Sequence, residues 1–341
     1  VTEKLDLEAA KNFAVDRLEG GYSLITVQNG GRFLLIPAGM DAPDGLDADI
    51  MLLYMPLDNL FVASTSTVAL MDEIGALSAV TQTTYDVEDW YLPSVKQAVQ
   101  DGQIAYIGHY KQPDFERIAL NQPKLAVFST MIEGTPDVRE KLDELGIPLL
   151  VDSSALEETP LGRMEWIKLY AALLDKEDEA ETLFNEKMDS VADVLEQQPT
   201  GKTVAFFYIT SSGAVNVRKS TDYVAKCVAI AGGDYVSFDE SAEDNAQSTI
   251  NIQMESFYHG AVDADVLIYN SIIDGELHTL DELVALDPLM ADFKAVKSGN
   301  VWCLTKNFYQ ESLELSDLIL DVNHALNDAP DTAFHFLTRM K

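Results

Sequence analysis

Two stretches of this chain follow one plan at a fixed distance. "STSTVALMDEIGALSAV" covers residues 64–80 and "STDYVAKCVAIAGGDYV" covers 220–236. Val68-Ala69 corresponds to Val224-Ala225, Ile74 to Ile230 and Val80 to Val236, at a constant offset of 156. Each reads as a Ser/Thr cap, apolar residues at helical spacing, a glycine stop and the start of a strand. A second pair keeps the same order. "PDFERIAL" carries Glu116 in a short helix and is followed by the apolar strand "KLAVFS". "NIQMESFYHGA" carries Glu255 and is followed by "DVLIYN", residues 265–270. Two ordered echoes predict two lobes of similar plan.

Residues 161–198, "LGRMEWIKLYAALLDKEDEAETLFNEKMDSVADVLEQQ", lie between the repeats with no proline and one glycine. Leu169, Leu173 and Leu174 form one apolar stripe, and Leu183, Phe184, Met188, Val191 and Leu195 another. Lys176 to Gln197 reads as one continuous helix of about 33 Å, long enough to span two lobes. At the start, "YSLITV" and "RFLLIP" flank "QNGG", a hairpin turned at Asn29-Gly30, and "DIMLLYM" reads as a buried strand. Later, "TVAFFYI", "VNVR" and "NVWCLT" are strands and "SLELSDLILDVNHALN" is a final amphipathic helix. Strands alternating with helices predict an α/β fold: two lobes with central, mostly parallel sheets flanked by helices, joined by one long helix, with an N-terminal β-hairpin extension. The expected boundaries are an N-terminal lobe over 1–158 (extension 1–48), a linker region over 159–199 and a C-terminal lobe over 200–341.

Charge narrows the partners. With 57 acids against 23 bases the net charge is -34, which phosphate backbones and anionic lipid headgroups would repel. Nucleic acid is therefore not an expected partner. Cys227 falls in a helical pattern and Cys303 in a strand, so buried free thiols are expected, and the redox compartment is left open. No apolar run reaches the length of a membrane helix. The opening "VTEKLDLEAA" reads as a processed or truncated start, so the missing signal segment does not assign a cytosolic home.

Catalytic motifs are missing. There is no P-loop, no G-x-S-x-G and no H-E-x-x-H, and the histidines, His109, His259, His278, His324 and His335, never stand at i, i+4. No enzyme is predicted. What remains is a set of aromatic and polar residues in loops after predicted strands, where α/β proteins hold ligands. In the first half these are Tyr85, Trp90, Tyr91, His109, Tyr110 and Lys111. In the second half they are Tyr208, Arg218, Lys219, Tyr223, Asn307, Phe308 and Tyr309. A cleft between two lobes would set such loops face to face, and tyrosine's flat apolar ring with one polar tip suits a bulky ring-bearing ligand.

The segments "YIGHYKQPDFERIALNQPKLAVFS", "LGRMEWIKLYAALLDKEDEAETLF", "VRKSTDYVAKCVAIAGGDYVSF" and "INIQMESFYHGAVDADVLIYN" give the chain a family resemblance over roughly residues 50–328. It resembles the substrate-binding proteins of ABC importers for iron complexes, haem and corrinoids, whose two α/β lobes share a single rigid helix. Within that family it is similar to a subgroup from anaerobic Gram-positive bacteria with an N-terminal hairpin extension. The resemblance implies an extracytoplasmic monomer, lipid-anchored to the outer face of a Gram-positive membrane. It implies capture of a ferric siderophore, haem or corrinoid in an interlobe cleft, with no resident cofactor, and delivery to an ABC permease and its ATPase. Small lobe movements are implied by the rigid helix. It also implies that Glu116 and Glu255 dock on permease arginines, which charge-assisted bidentate bonds would favour. Tyr110 falls where relatives place a ligand-facing tryptophan or arginine. His109 falls where haem-binding relatives place an iron-ligating tyrosine, and histidine can ligate haem iron too. Arg218 and Lys219 are the main bases near the expected cleft, few for a strongly anionic ligand. Two alternatives share such scaffolds. One is a nitrogenase-like metalloprotein or other paired α/β enzyme, for which two cysteines are too few to hold a cluster. The other is an adhesin or sensor using the same cleft without transport.

Overall fold

A computed structural model of the chain describes residues 1–239, 248–272 and 275–341. It divides into two compact units: Val1–Glu186 with Tyr309–Leu313, and Lys187–Phe308 with Glu314–Lys341.

The first unit opens with a sheet of β1 (Glu3–Lys4), β2 (Phe13–Arg17), β3 (Ser23–Val27), β4 (Gly31–Ile36) and β5 (Ile50–Tyr54), in that order. The expected β3–β4 hairpin is present, with Asn29 at φ 58° in its turn. A Cβ at Gly30 would sit 2.4 Å from the Val151 carbonyl oxygen, so the close approach requires glycine there, while the second positive φ of the turn falls on Gly31 (φ 117°) and not on Gly30 as the Asn29-Gly30 pattern implied. The hairpin is thus part of a larger sheet. β5 corrects the expectation of a buried strand: among the described residues it is an edge strand, paired only with β4, and of its residues only Leu53 is buried while Tyr54 is 52% exposed. An edge position leaves one flank of an apolar run in solvent, which composition alone does not show.

The second sheet of this unit is wholly parallel, in the order β10-β9-β6-β7-β8. Its strands are β6 (Leu60–Ala63), β7 (Val80–Thr83), β8 (Ala105–Tyr106), β9 (Leu125–Ser129) and β10 (Leu149–Asp152). Helix α1 (Thr65–Glu73), capped by Ser64 and ended at Gly75 (φ 70°), connects β6 to β7. Helices α2 (Pro93–Gln100), α3 (Phe115–Asn121) and α4 (Pro136–Glu144) make the other crossovers. Phe61, Ile107, Ile118, Phe128 and Leu142 share one core.

Three helices follow: α5 (Pro160–Met164), α6 (Ile167–Leu174) and α7 (Glu177–Glu196). α7 is the long helix expected from Lys176 to Gln197, and the unit boundary falls inside it, between Glu186 and Lys187. Its buried residues are Ala180, Phe184, Val191 and Val194, whereas Leu195, expected in the stripe, is 44% exposed. The 3.6-residue repeat carries position 194 onto the inner face that an unbroken i, i+4 count gave to 195.

The second unit holds one mixed sheet, β14-β12-β11-β15-β16-β17, with β13 also on β11. Its strands are β11 (Thr203–Ile209), β12 (Val215–Arg218), β13 (Asp234–Tyr235), β14 (Thr249–Ile252), β15 (Val266–Asn270), β16 (Val301–Leu304) and β17 (Leu337–Arg339). Helices α8 (Tyr223–Ile230), α9 (Met254–Ala261), α10 (Leu280–Leu286), α11 (Lys294–Ser298) and α12 (Leu315–Leu326) flank it. The repeat is visible in the pairing: β16-β15-β11-β13 is parallel in the same order as β10-β9-β6-β7. α8 matches α1, though its cap is Asp222 and not the expected Ser or Thr. The short antiparallel strands β12, β14 and β17 make this sheet mixed where mostly parallel pairing was expected.

Candidate functional site

Glu116 and Glu255 occupy matching places. Each is the second residue of its helix, α3 or α9, and each helix leads into the strand, β9 or β15, at the matching place in its sheet. Asp114 caps α3 by accepting the N–H groups of Glu116 and Arg117 at 3.1 Å. α3 buries Ile118 and α9 buries Met254, Phe257 and Ala261, which turns both glutamates to solvent. Each acid also lies in the first turn, where the helix dipole favours negative charge.

In the first unit the expected ligand residues gather after β7 and β8. Tyr85 and Trp90 meet edge to face at 5.7 Å. Burial raises the Tyr85 phenol above its ordinary value, helped by Tyr110 and the Asp89 carboxylate, so it stays a neutral donor. The His109 and Tyr110 rings lie 4.5 Å apart, and the Lys111 ammonium stands 5.8 Å from the Tyr110 ring centre. Gly108, at φ 91°, makes the turn that carries this triplet. Trp90, read from sequence as ligand-facing, is only 2% exposed, and its indole N–H points to the Tyr85 carbonyl. A capping box between Asp86 and Asp89 turns the chain so that the indole packs inward beneath Tyr85. Tyr309, which sequence order placed with the second half, belongs to the first unit, where its neighbour Gln310 accepts the Tyr91 N–H and donates to the Asp89 carbonyl. Two groups escaped the sequence reading. The hydroxyls of Thr83 and Thr84 are buried beside Tyr85 without a hydrogen-bond partner among the described residues. Threonine in a strand is too ordinary to attract notice.

In the second unit Tyr223 and Phe308 stack at 6.3 Å, and Phe308 is buried against Phe336 at 5.2 Å. Phe308 therefore backs Tyr223, although the sequence reading set it facing a ligand. Arg218 pairs with Asp222 at 3.4 Å and Lys219 follows it at the end of β12. Tyr208 packs, half-buried, on the sheet core. Cys227 and Cys303 are buried thiols outside any disulfide, as expected, and burial pushes the Cys303 thiol up to about 11, which keeps it protonated and unreactive.

One ionic cluster gathers at the start of α12, with His335 of the cluster packed at 4.4 Å on the Phe336 ring that backs Phe308. Lys187 of α7 bonds both Glu314 and Asp317 at the start of α12, and the two acids lie within 4.8 Å of His335. One ammonium faces two carboxylates, so the acids share a proton. Burial and the bond with Asp317 push Glu314 up to about 8. Asp317, despite its own desolvation, is held low by the hydrogen bond from Glu314 and by Lys187. Glu314 binds a proton in the folded chain that it has lost, above its ordinary 4.5, in the unfolded one. Its contribution is therefore complete below that value and is lost as pH rises to about 8. Urea unfolding across this window is expected to show wild-type stability declining with pH relative to Glu314→Gln. Parallel profiles would contradict the shared proton.

Comparison with known proteins bears on the family and the fold. The family model for periplasmic binding proteins matches residues 61–307. An uncharacterized lipoprotein of Methanocaldococcus jannaschii is 28% identical over 311 residues, covering 88% of this chain and 73% of that protein. The petrobactin-binding protein YclQ of Bacillus subtilis matches in structure with a TM-score of 0.63 at 15% identity, over 93% of this chain and 99% of the other. The periplasmic haem-binding protein HutB of Vibrio cholerae matches with a TM-score of 0.59 at 18% identity, over 75% of this chain and 95% of the other. The chain belongs to the periplasmic binding protein family. That is a family of extracytoplasmic binding proteins.

Proposed function

We propose that this protein, carried on the outer face of the membrane by a lipid anchor, captures a metal chelate and delivers it to an ABC permease and its ATPase. The chelate is a ferric siderophore, haem or a corrinoid. The observation that carries the reading is the matched pair Glu116 and Glu255: two exposed carboxylates at the same place in two repeats. Solvation alone does not call for that repetition. Docking of both repeats on one partner does, because a second contact made by a tethered site adds affinity without new chemistry. The family membership, the lipoprotein relative and the petrobactin- and haem-binding neighbours support the same reading.

In this reading Tyr85, His109, Tyr110, Lys111 and Tyr309 meet the ligand from the first unit, and Tyr208, Arg218, Lys219 and Tyr223 from the second. Trp90 and Phe308 hold Tyr85 and Tyr223 in place. No covalent step is involved, and the protein works as a monomer. If the ligand is haem, His109 ligates its iron. Titration of the purified chain with haemin, cobalamin and a ferric siderophore, each followed by absorption, tests the reading. Saturable one-to-one binding of one of the three is expected, weakened about 10-fold or more in Tyr110→Ala, as loss of a stacked aromatic worth about 1–1.5 kcal/mol plus its buried area would give. Binding of none of the three would overturn it.

A further inference from the structure

Helix α3 carries more than Glu116. Leu120 stands one turn further on, at i+4, and therefore on the same edge of the helix. It is 87% exposed, the most exposed of the large apolar side chains among the described residues. It forms the rim of a crevice of about 250 Å³ lined also by Thr81 and Gln82 of β7, Ala105 of β8, and Arg117 and Asn121 of α3. The floor is built. Gln82 is 3% exposed, its amide N–H donates to the Arg117 carbonyl at 3.3 Å, and its Oε1 is buried with no hydrogen-bond partner among the described residues. The neighbouring polar groups are engaged with one another. Thr81 donates to Asn59 Oδ1 at 2.6 Å, and the Asn121 amide donates to the same atom at 2.9 Å. The Arg117 guanidinium is tied to the Tyr106 carbonyl at 2.7 Å.

A buried acceptor left without a donor costs on the order of 1–3 kcal/mol and asks for an occupant. The lining states what kind. Gln82 Oε1 needs a donor. Leu120 offers an apolar rim. Arg117 repels a cation and welcomes an aromatic face. A ring with a donating tip meets all three conditions.

We propose that this crevice receives a tyrosine or tryptophan side chain from the importer's membrane subunit. Glu116 pairs with a cation beside it, and the crevice supplies the apolar half of the same footprint. The proposal rests on the docking role of α3 given above and adds a shape-specific contact to a charge contact. Such a contact selects a cognate permease from others that share only the arginine, because a partner lacking the ring leaves the acceptor unfilled.

The test measures binding of the chelate-loaded chain to the permease–ATPase complex from the same source, reconstituted in nanodiscs. The variants are Leu120→Ser, Gln82→Leu and Glu116→Ala, with circular dichroism to verify folding. Leu120 is on the surface and Gln82→Leu keeps the side-chain volume, so both variants are expected to fold. Leu120→Ser and Gln82→Leu are each expected to weaken binding about 5- to 20-fold, and a photo-crosslinker at position 120 is expected to label a membrane-subunit segment containing Tyr or Trp. Unchanged binding in both variants, with Glu116→Ala weakened, would overturn the crevice and leave acid docking standing. Weakened binding in both variants, with Glu116→Ala unchanged, would support the crevice and remove the acid. Labelling of a segment without an aromatic residue would overturn the assigned occupant.

Discussion

Replacing Glu165 by alanine is expected to loosen the whole N-terminal segment and to cost about 3–5 kcal/mol of stability, the range for removing one partner of a buried ionic network. Glu165 is fully buried. Its Oε1 accepts the Glu8 N–H at 2.9 Å, and its Oε2 accepts the N–H groups of Ala9 and Ala10 at 2.8 Å. The Lys168 ammonium, itself buried, meets Oε1 at 2.9 Å. Glu157 continues the clamp by accepting the N–H groups of Lys11 and Asn12 at 2.9 Å and the Trp166 indole at 2.8 Å. Two carboxylates thus bind five successive backbone amides. Truncating Glu165 strands three of those amides and leaves Lys168 with a longer contact to Glu181 at 3.4 Å and the Phe184 ring at 4.5 Å. Gly162 belongs to the same device, since a Cβ there would lie 2.9 Å from the Ala9 carbonyl oxygen. Urea unfolding gives the loss of stability, and amide exchange at Glu8–Ala10 locates it. Glu158→Ala is the control. Glu158 pairs with Lys11 in the open, both side chains about two-thirds exposed, so its loss is expected to change stability by less than about 0.5 kcal/mol.

The second large effect is expected at Glu116 and Glu255, the acids proposed to dock on the permease. A charge-assisted hydrogen bond contributes about 1.5–3 kcal/mol, so Glu116→Ala and Glu255→Ala are each expected to weaken binding to the permease about 10- to 100-fold. The double variant is expected to lose binding almost entirely, because each contact raises the effective concentration of the other. Charge reversal to arginine at either position adds repulsion to the loss. Neither side chain is buried, so the alanine variants are expected to lose only the helix-dipole contribution, about 0.3–1 kcal/mol, and to stay folded, which separates docking from folding.

The parts of this molecule that were legible in its sequence are those written in local pattern. Ser64 before α1, Gly75 and Gly232 as helix stops, and Asn29-Gly30 in the β3–β4 turn are short-range signals, and each stands where the sequence puts it. The length of α7 followed from the absence of helix breakers between Lys176 and Gln197. What was hidden depends on residues far apart in the chain. The Glu157 and Glu165 clamp joins groups about 150 residues apart, and among 57 acids neither stands out. The edge position of β5 and the two-residue strands β1 and β13 depend on which neighbours complete a sheet. The inward turn of Trp90 is set by the Asp86–Asp89 box and by Gln310, far along the chain, which fastens the loop. The matching of Glu116 with Glu255 was visible because each is fixed by its own helix and the strand that follows it.

Transport by the reconstituted permease–ATPase complex tests the central claim most directly. The chain is loaded with the chelate it binds, added to proteoliposomes with ATP inside reach of the ATPase, and chelate entry is followed by its metal content. ATP-dependent entry that requires this chain, and that falls to background when Glu116 and Glu255 are both alanine, is the expected result. Entry at an undiminished rate with the double variant, or no entry with the loaded wild-type chain, would contradict it.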